Sequence, residues 1–541
     1  MCSGSTTAAP KLDMQAHNGV RGLLALHVCV FHYLFGMGQW SPFHVNTQGN
    51  AHMPFFFLLS GFSLAVIYGD KISDKLTFYR NRVARVMPLF YLAHLFAAPL
   101  ALIGWGVRPE DFRESVLRNL FATSTWGIYY KPEPAGPCGP SWTVCTLVAF
   151  YICFPFLVRF LKPIVVDASL IKSWGARLFV GIATMSGVAY AWYGYCGAPE
   201  KERDRFHPDS EDEMTKFYGI PLGLGLGLIA MGLGRRDGDA PATFLLTQLW
   251  WLQMAVGSAM FFGGLPAGIW ADSDGTGKPV KGYWLATGWP VSRLPVFAMG
   301  IVGGLAVRQR LRDAQPGAGN RPWWGFKNRT PQDWAKHTDA AACAYLAVLF
   351  VYIVLDGIRL PSGPDLLLYT DNWIKYRLPA GVPIFGMSLS SGLWNQLATP
   401  FLQLSIIVGL TQDHRLSRCS KICLSRPAQF LGKISMPLYL FHMPVYSWAL
   451  AAWRGPQWWF SPESVYGKTC RESLRPLTLE CSQYFEIHQL PAWWLIPALT
   501  FLSIGVAVLL ENFFESPVRK WLRGSASTTK VATKMQVGKA A

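Results

Sequence analysis

The sequence predicts an all-α fold, a multi-pass transmembrane helical bundle of ten to twelve spans, and three observations lead there. Apolar runs near the ~20 residues that a helix needs to cross a bilayer core recur along the 541 residues. Only 15% of the residues are charged and 51% are hydrophobic, where soluble domains carry about 25% charge. The Lys and Arg behind a formal net charge of +17 fall mostly in short stretches between apolar runs, the pattern of positive-inside loops.

Taken in order, residues 1–19 read as a polar cytosolic segment without the basic-then-apolar pattern of a cleavable leader, so the first span inserts as a signal anchor. Spans are expected over 20–37, 54–68, 88–105, 142–161, 178–195, 244–263, 294–307, 341–355, 393–410, 436–453 and 493–510, with the Gly-rich run 220–234 as a further candidate. The loop 70–85 holds Lys71, Lys75, Arg80, Arg82 and Arg85, which assigns it to the cytosol and, with two spans before it, the N-terminus as well. The loops 308–337 and 414–426 and the tail from Arg519 are also basic, so an even span count follows and both termini are expected inside. Residues 20–523 form one membrane domain in this reading, and 524–541 a disordered polar tail. The charged segment 197–216 is a solvated loop on the opposite side.

Several functions are set aside. No basic helix or stacking-aromatic module lies outside the apolar segments, which argues against nucleic acid as a partner. Eleven cysteines leave at least one unpaired in a monomer. Cys138 with Cys196, and Cys470 with Cys481, fall in loops assigned to the non-cytosolic side, where disulfides persist. Cys419 and Cys423 lack a second ligand pair, so no metal site is expected.

Two constellations carry chemistry. Arg21 and His32 are eleven residues apart on the first span, a rotation of about 20° and a rise of about 16 Å, so both lie on one helix face. Arg21 sits at the cytosolic mouth. His32 lies well inside the bilayer, where an ionisable side chain is costly and marks a functional site, and a neutral imidazole is the form a general base needs. A histidine bonded to a neighbouring helix explains the same position. Arg82 and Arg85, three apart before Pro88, project together from a helical turn and suit phosphate oxygens; positive-inside anchoring is the alternative. His27 and His94 read as structural, and His442 as lining a cavity or capping a helix end.

These residues resemble the acyltransferase 3 family of membrane acyltransferases. The resemblance runs through Arg21-Gly22 and His32, Phe56-Phe57-Leu58-Leu59-Ser60-Gly61-Phe62, then Arg82, Arg85 and Pro88, and Pro140-Ser141-Trp142 with Phe150-Tyr151. Later come Leu431-Gly432-Lys433-Ile434-Ser435, Pro437-Leu438-Tyr439-Leu440, His442, Glu515, Pro517 and Arg519. The resemblance implies that His32 is catalytic with Arg21 its companion, and that Arg82 and Arg85 bind the acyl donor, an acyl-CoA and by expectation acetyl-CoA. The acceptor is a hydroxyl of a carbohydrate, lipid or small molecule, and the enzyme class is that of acyltransferases moving groups other than aminoacyl groups. The segments around Ser60-Gly61 and Ser435 read as close helix packing. Two positions depart from the family pattern: Asn18 stands where an acid precedes the first-span arginine, and Leu147 where the fourth span carries a glutamate. A transporter whose His and Arg line a pathway, or a catalytically silent relative, are the competing readings. Residues 106–140 and 454–491 are the candidate acceptor-recognition loops.

Overall fold

The computed structural model describes residues 12–36, 49, 51–69, 72, 74–102, 112–126, 136–166, 245–250, 252–253, 256, 288–313, 330–357, 399–454 and 494–523. Among these the chain is helical throughout and no strand occurs. The expected spans 178–195 and 220–234, the loop 197–216, all of the loop 454–491 after its first residue, the tail 524–541, Cys196, Cys470 and Cys481 lie outside the described residues.

The helices are α1 (Gln15–Gly36), α2 (Met53–Tyr68), α3 (Lys75–Leu102), α4 (Phe112–Leu120) and, after a 3-10 turn at Gly136–Ser141, α5 (Trp142–Val166). Then come α6 (Pro290–Asp313), α7 (Pro331–Gly357), α8 (Pro400–Gln412), α9 (Arg418–Leu424), α10 (Arg426–Lys433) and α11 (Ser435–Arg454). Last is α12 (Leu495–Leu510), which passes through a π turn at Glu511–Glu515 into α13 (Ser516–Arg523). Four described helices are long and apolar enough to cross a membrane: Lys75–Leu100, Cys138–Val165, Pro290–Leu311 and Leu495–Arg523. Helices α2 and α8 are shorter and apolar. The protein is a membrane protein.

Local chemistry sets the boundaries. Proline stands in the first turn of α2 and α8, where its missing N–H costs nothing, and Gly69 closes α2 by donating to the Ala65 carbonyl at 2.8 Å. Ser417 caps α9 by accepting from the Ser420 N–H at 2.9 Å. Helix α3 starts well before the expected span, so Arg80, Arg82 and Arg85 ride on its first turns instead of in a loop.

Helix directions follow from side-chain pairs. Phe62 stacks on His17 while His52 meets His27, so α2 runs against α1. Phe78 meets Phe154, and His94 meets Ser141 at the other end, so α5 runs against α3. Helix α6 lies parallel to α2, because a Cβ on Gly300 would sit 2.2 Å from the Leu58 carbonyl oxygen and one on Gly304, a turn further on, 2.6 Å from that of Phe62. Only glycine allows backbones this close. Helix α6 is the central column: 83% of its apolar window is buried, against 22% for the helix running from Leu495 to Arg523. That outer helix turns Phe501 and Phe513 outward, as a lipid-facing helix does.

Both the start of α1 and the end of α13 lie at one end of the bundle, where a Cβ on Gly22 would meet the Gly432 nitrogen at 2.2 Å and Lys433 donates to Asn512 at 3.1 Å. Arg415 pairs there with Asp13 at 2.5 Å and tethers the chain just before α1. Partial burial pushes the Asp13 carboxyl up, but the Gln15 main-chain N–H and the Arg415 guanidinium outweigh it and leave it below the usual carboxylate range. At the opposite end Cys138 is a buried free thiol donating to the Ala93 carbonyl at 3.2 Å. It packs at the entry of α5, which corrects the expectation of a loop disulfide there.

Candidate active site

The site lies along the seam between α1 and the α10–α11 corner. Small residues bring the backbones together: Gly22 abuts Gly432, and Gly432 abuts the Asn18 carbonyl, each so closely that a Cβ would stand within 2.3 Å of the facing main chain. Helix α11 runs parallel to α1, so side chains along one face of α1 meet successive turns of α11.

Arg21 uses that closeness. Its Nε donates to the Ser435 hydroxyl at 2.8 Å and its Nη2 to the Gly432 carbonyl at 2.9 Å, while Ser435 itself donates to Gly432 at 3.0 Å. Ser435, read from sequence as a packing residue, is therefore also an acceptor for the guanidinium. Seven residues further along α11, two turns on the same face, stands His442.

His442 is fully buried and its Nε2 lies 3.0 Å from His32 Nδ1. The rings are 4.9 Å apart between centroids. His32 Nδ1 also lies 2.9 Å from the Val28 carbonyl, one turn back, and His442 Nδ1 lies 2.8 Å from the Tyr439 carbonyl and 3.3 Å from that of Leu438. Tyr33 braces the pair from behind: its hydroxyl donates to the His442 carbonyl at 3.0 Å and lies 2.5 Å from Ser503 Oγ on α12. His32 is half-buried, with the edge of Phe31 beside it. Among the described residues nothing hydrogen-bonds its Nε2.

Arg82 and Arg85 do share a turn of α3, at the same end of the bundle as Arg21. Arg82 lies over the Tyr68 and Phe78 rings at 5.8 and 6.0 Å, a cation–π setting. Arg85 is half-buried and within electrostatic reach of Arg21, Arg82, Tyr151, Glu515 and Arg519. Two carboxylates beside these arginines come from the π turn. Glu511 and Glu515 are buried, and Arg519 reaches both, at 3.6 and 2.8 Å. Arg523 adds a fifth cation, within reach of Arg82, Arg85 and Arg519.

The structure thus brings Arg21 and Arg85 into one charged cluster and places His32 about three turns deeper along α1. It does not join Arg21 to His32. The two departures read from sequence also have a place: Asn18 is exposed, and Leu147 packs half-buried against the apolar core. Neither meets His32. Sequence reasoning did not single out Tyr33, Ser503, Glu511 or the His32–His442 contact, and His442 sits within α11 instead of capping an end. His27 turns to His52 at 2.6 Å, and His94 to Phe90 and Ser141, so both stand in other networks. Among the described residues no three His, Cys, Asp or Glu side chains gather as a metal ion would need.

Comparison with known proteins adds the chemistry. Acyltransferase MdmB of Streptomyces mycarofaciens is 34% identical over 126 residues, covering 22% of this chain and 31% of the relative, so under a third of that protein's length is matched. No solved structure matches. Residues 15–315 match the family model described as an acyltransferase domain, Acyl_transf_3, a stretch holding Arg21, His32, Arg82 and Arg85 and ending before Ser435 and His442. With more than half of the chain covered, the protein belongs to the acyltransferase 3 family.

Proposed function

We propose that the protein transfers an acyl group, acetyl in the simplest case, from acyl-CoA to a hydroxyl of a carbohydrate, lipid or small-molecule acceptor, with His32 as general base. The observation that carries this reading is an ionisable ring held inside the helix seam with one nitrogen engaged and the other open. In the step, His32 Nε2 takes the acceptor's hydroxyl proton as the oxygen bonds to the thioester carbonyl carbon. The carbon–sulfur bond then breaks, and the CoA thiolate takes the proton from His32. No other co-reactant is needed.

The cation cluster supports a donor entry at the basic end, which the positive-inside rule assigns to the cytosol together with both termini. Arg82 and Arg85 are the residues proposed to meet the CoA phosphates, since guanidinium forks match phosphate oxygens. Arg21 is proposed to steer the donor inward, because its bonds to Ser435 and Gly432 hold it about three turns short of His32.

The test uses purified full-length protein in nanodiscs with radiolabelled acetyl-CoA, supplied with lipid and glycan extracts of the host as acceptors. Transfer that is lost in His32→Ala supports the proposal. Wild-type transfer in His32→Ala, or none by the native protein on any extract despite CoA binding, overturns it.

A further inference from the structure

The two imidazoles on the α1–α11 seam show the same atom to the main chain. His32 Nδ1 faces the Val28 carbonyl at 2.9 Å, and His442 Nδ1 faces the Tyr439 carbonyl at 2.8 Å. A carbonyl oxygen only accepts, so in the neutral rings both protons reside on Nδ1 and both lone pairs on Nε2. The third contact agrees with this assignment, because the one His32 Nδ1–H is then shared between the Val28 carbonyl and the His442 Nε2 lone pair at 3.0 Å. Were either ring in the other tautomer, one of these contacts would set two lone pairs or two protons against each other.

We infer that His442 is a positioning residue that holds His32 in the Nδ1–H tautomer and fixes its ring plane, leaving Nε2 as the basic atom. The inference rests on the proposed role of His32 and names what orients it. Orienting a catalytic histidine through its second nitrogen is work commonly done by a carboxylate. Here the acid expected before Arg21 is replaced by exposed Asn18 and the one expected on α5 by Leu147, and an imidazole meets the ring instead. The placement of His442 is itself determined. Its Nδ1–H goes to its own helix turn, its carbonyl receives the Tyr33 hydroxyl, and the flank of its ring meets Tyr33 edge-on at 6.1 Å. When His32 takes up a proton at Nε2, its Nδ1–H becomes a stronger donor, and the Val28 carbonyl and His442 Nε2 share the bond.

The experiment separates this inference from the base assignment. Ring 15N shifts are measured on 15N-histidine-labelled full-length protein in nanodiscs, with His32 assigned by comparison with His32→Gln. CoA release from acetyl-CoA, with water as acceptor, is followed alongside. The expected result is a neutral His32 with a protonated Nδ1 and a bare Nε2, and in His442→Phe a shift of that population toward Nε2–H. His442→Phe is expected to lose about 100-fold in kcat with KM for acetyl-CoA unchanged. His442→Gln, whose side-chain carbonyl can accept the same proton, recovers at least tenfold of that loss and keeps the Nδ1–H signature. Should His442→Phe fail to fold, the tautomer in native protein and the activity of His442→Gln against His442→Leu decide the matter. A His442→Phe variant with wild-type kcat and unchanged tautomer while His32→Gln is inactive overturns the inference and leaves the base assignment standing, whereas a His32 found as Nε2–H in native protein overturns the inference and also removes Nε2 as the basic atom.

Discussion

Arg21 and Ser435, 414 residues apart in the chain, are joined by a 2.8 Å hydrogen bond from the guanidinium Nε to the seryl hydroxyl. The bond ties the first helix to the corner where α10 turns into α11. Replacing Ser435 with Ala removes the acceptor and leaves a charged donor half-buried, so the protein is expected to lose about 1–2 kcal/mol of stability, with Ser435→Thr losing less. Thermal melts of the purified protein in one detergent check this.

The glycines of the same seam make a sharper case. A methyl group on Gly22 would overlap the Gly432 main chain, and backbone cannot swing away as a side chain can. Gly22→Ala and Gly432→Ala are expected to destabilise by about 1–3 kcal/mol each. Gly505→Ala on α12, where a Cβ meets nothing within 4 Å, should be neutral or slightly stabilising. Equal melting temperatures for all three variants would refute the close approach.

Arg519 serves two buried carboxylates at once, so its loss strands both. Arg519→Ala is expected to cost about 3–5 kcal/mol, while the isosteric Glu515→Gln, which keeps the amide in the same place, costs less. The double variant Glu515→Gln/Arg519→Gln should be more stable than Arg519→Ala, although it changes more residues. A melt ordering with Arg519→Ala as the most stable of the three contradicts the pairing.

The donor recognition proposed for Arg82 and Arg85 has a kinetic signature. Each Arg→Ala change is expected to raise KM for acetyl-CoA about tenfold and to leave turnover of acetyl-pantetheine, which lacks the nucleotide phosphates, unaltered. If both donors suffer equally, these arginines act on the fold and not on the phosphates.

What could be read from the sequence follows from what is locally conspicuous. His32 and Arg21 stand out because ionisable groups break an apolar run, and eleven-residue spacing places them on one face. Close helix packing was legible at Ser60-Gly61, where Gly61 abuts α6, and at Ser435 on the α1–α11 seam. The helical turn of Arg82 and Arg85 was read, but not the start of α3 at Lys75, since a stretch dense in Lys and Arg has the hydropathy of a loop even when it is helical. The partnership of His32 with His442 leaves no local trace, because it joins residues 410 positions apart. Nor does the π turn, whose five residues read like any helix end until Glu511 and Glu515 are seen to face one arginine.

The seam has a consequence for biosynthesis. Every hydrogen bond that aims Arg21 comes from residues 432 and 435, and the ring against His32 from residue 442, all beyond the stretch shared with the family model. A ribosome that has released only the first several helices into the bilayer has made the imidazole proposed as the base but not the wall it leans on. If His32 acts as proposed, chains cut short anywhere before α11 would carry Arg21 and His32 without the contacts that hold them, and would be far less active than the full chain.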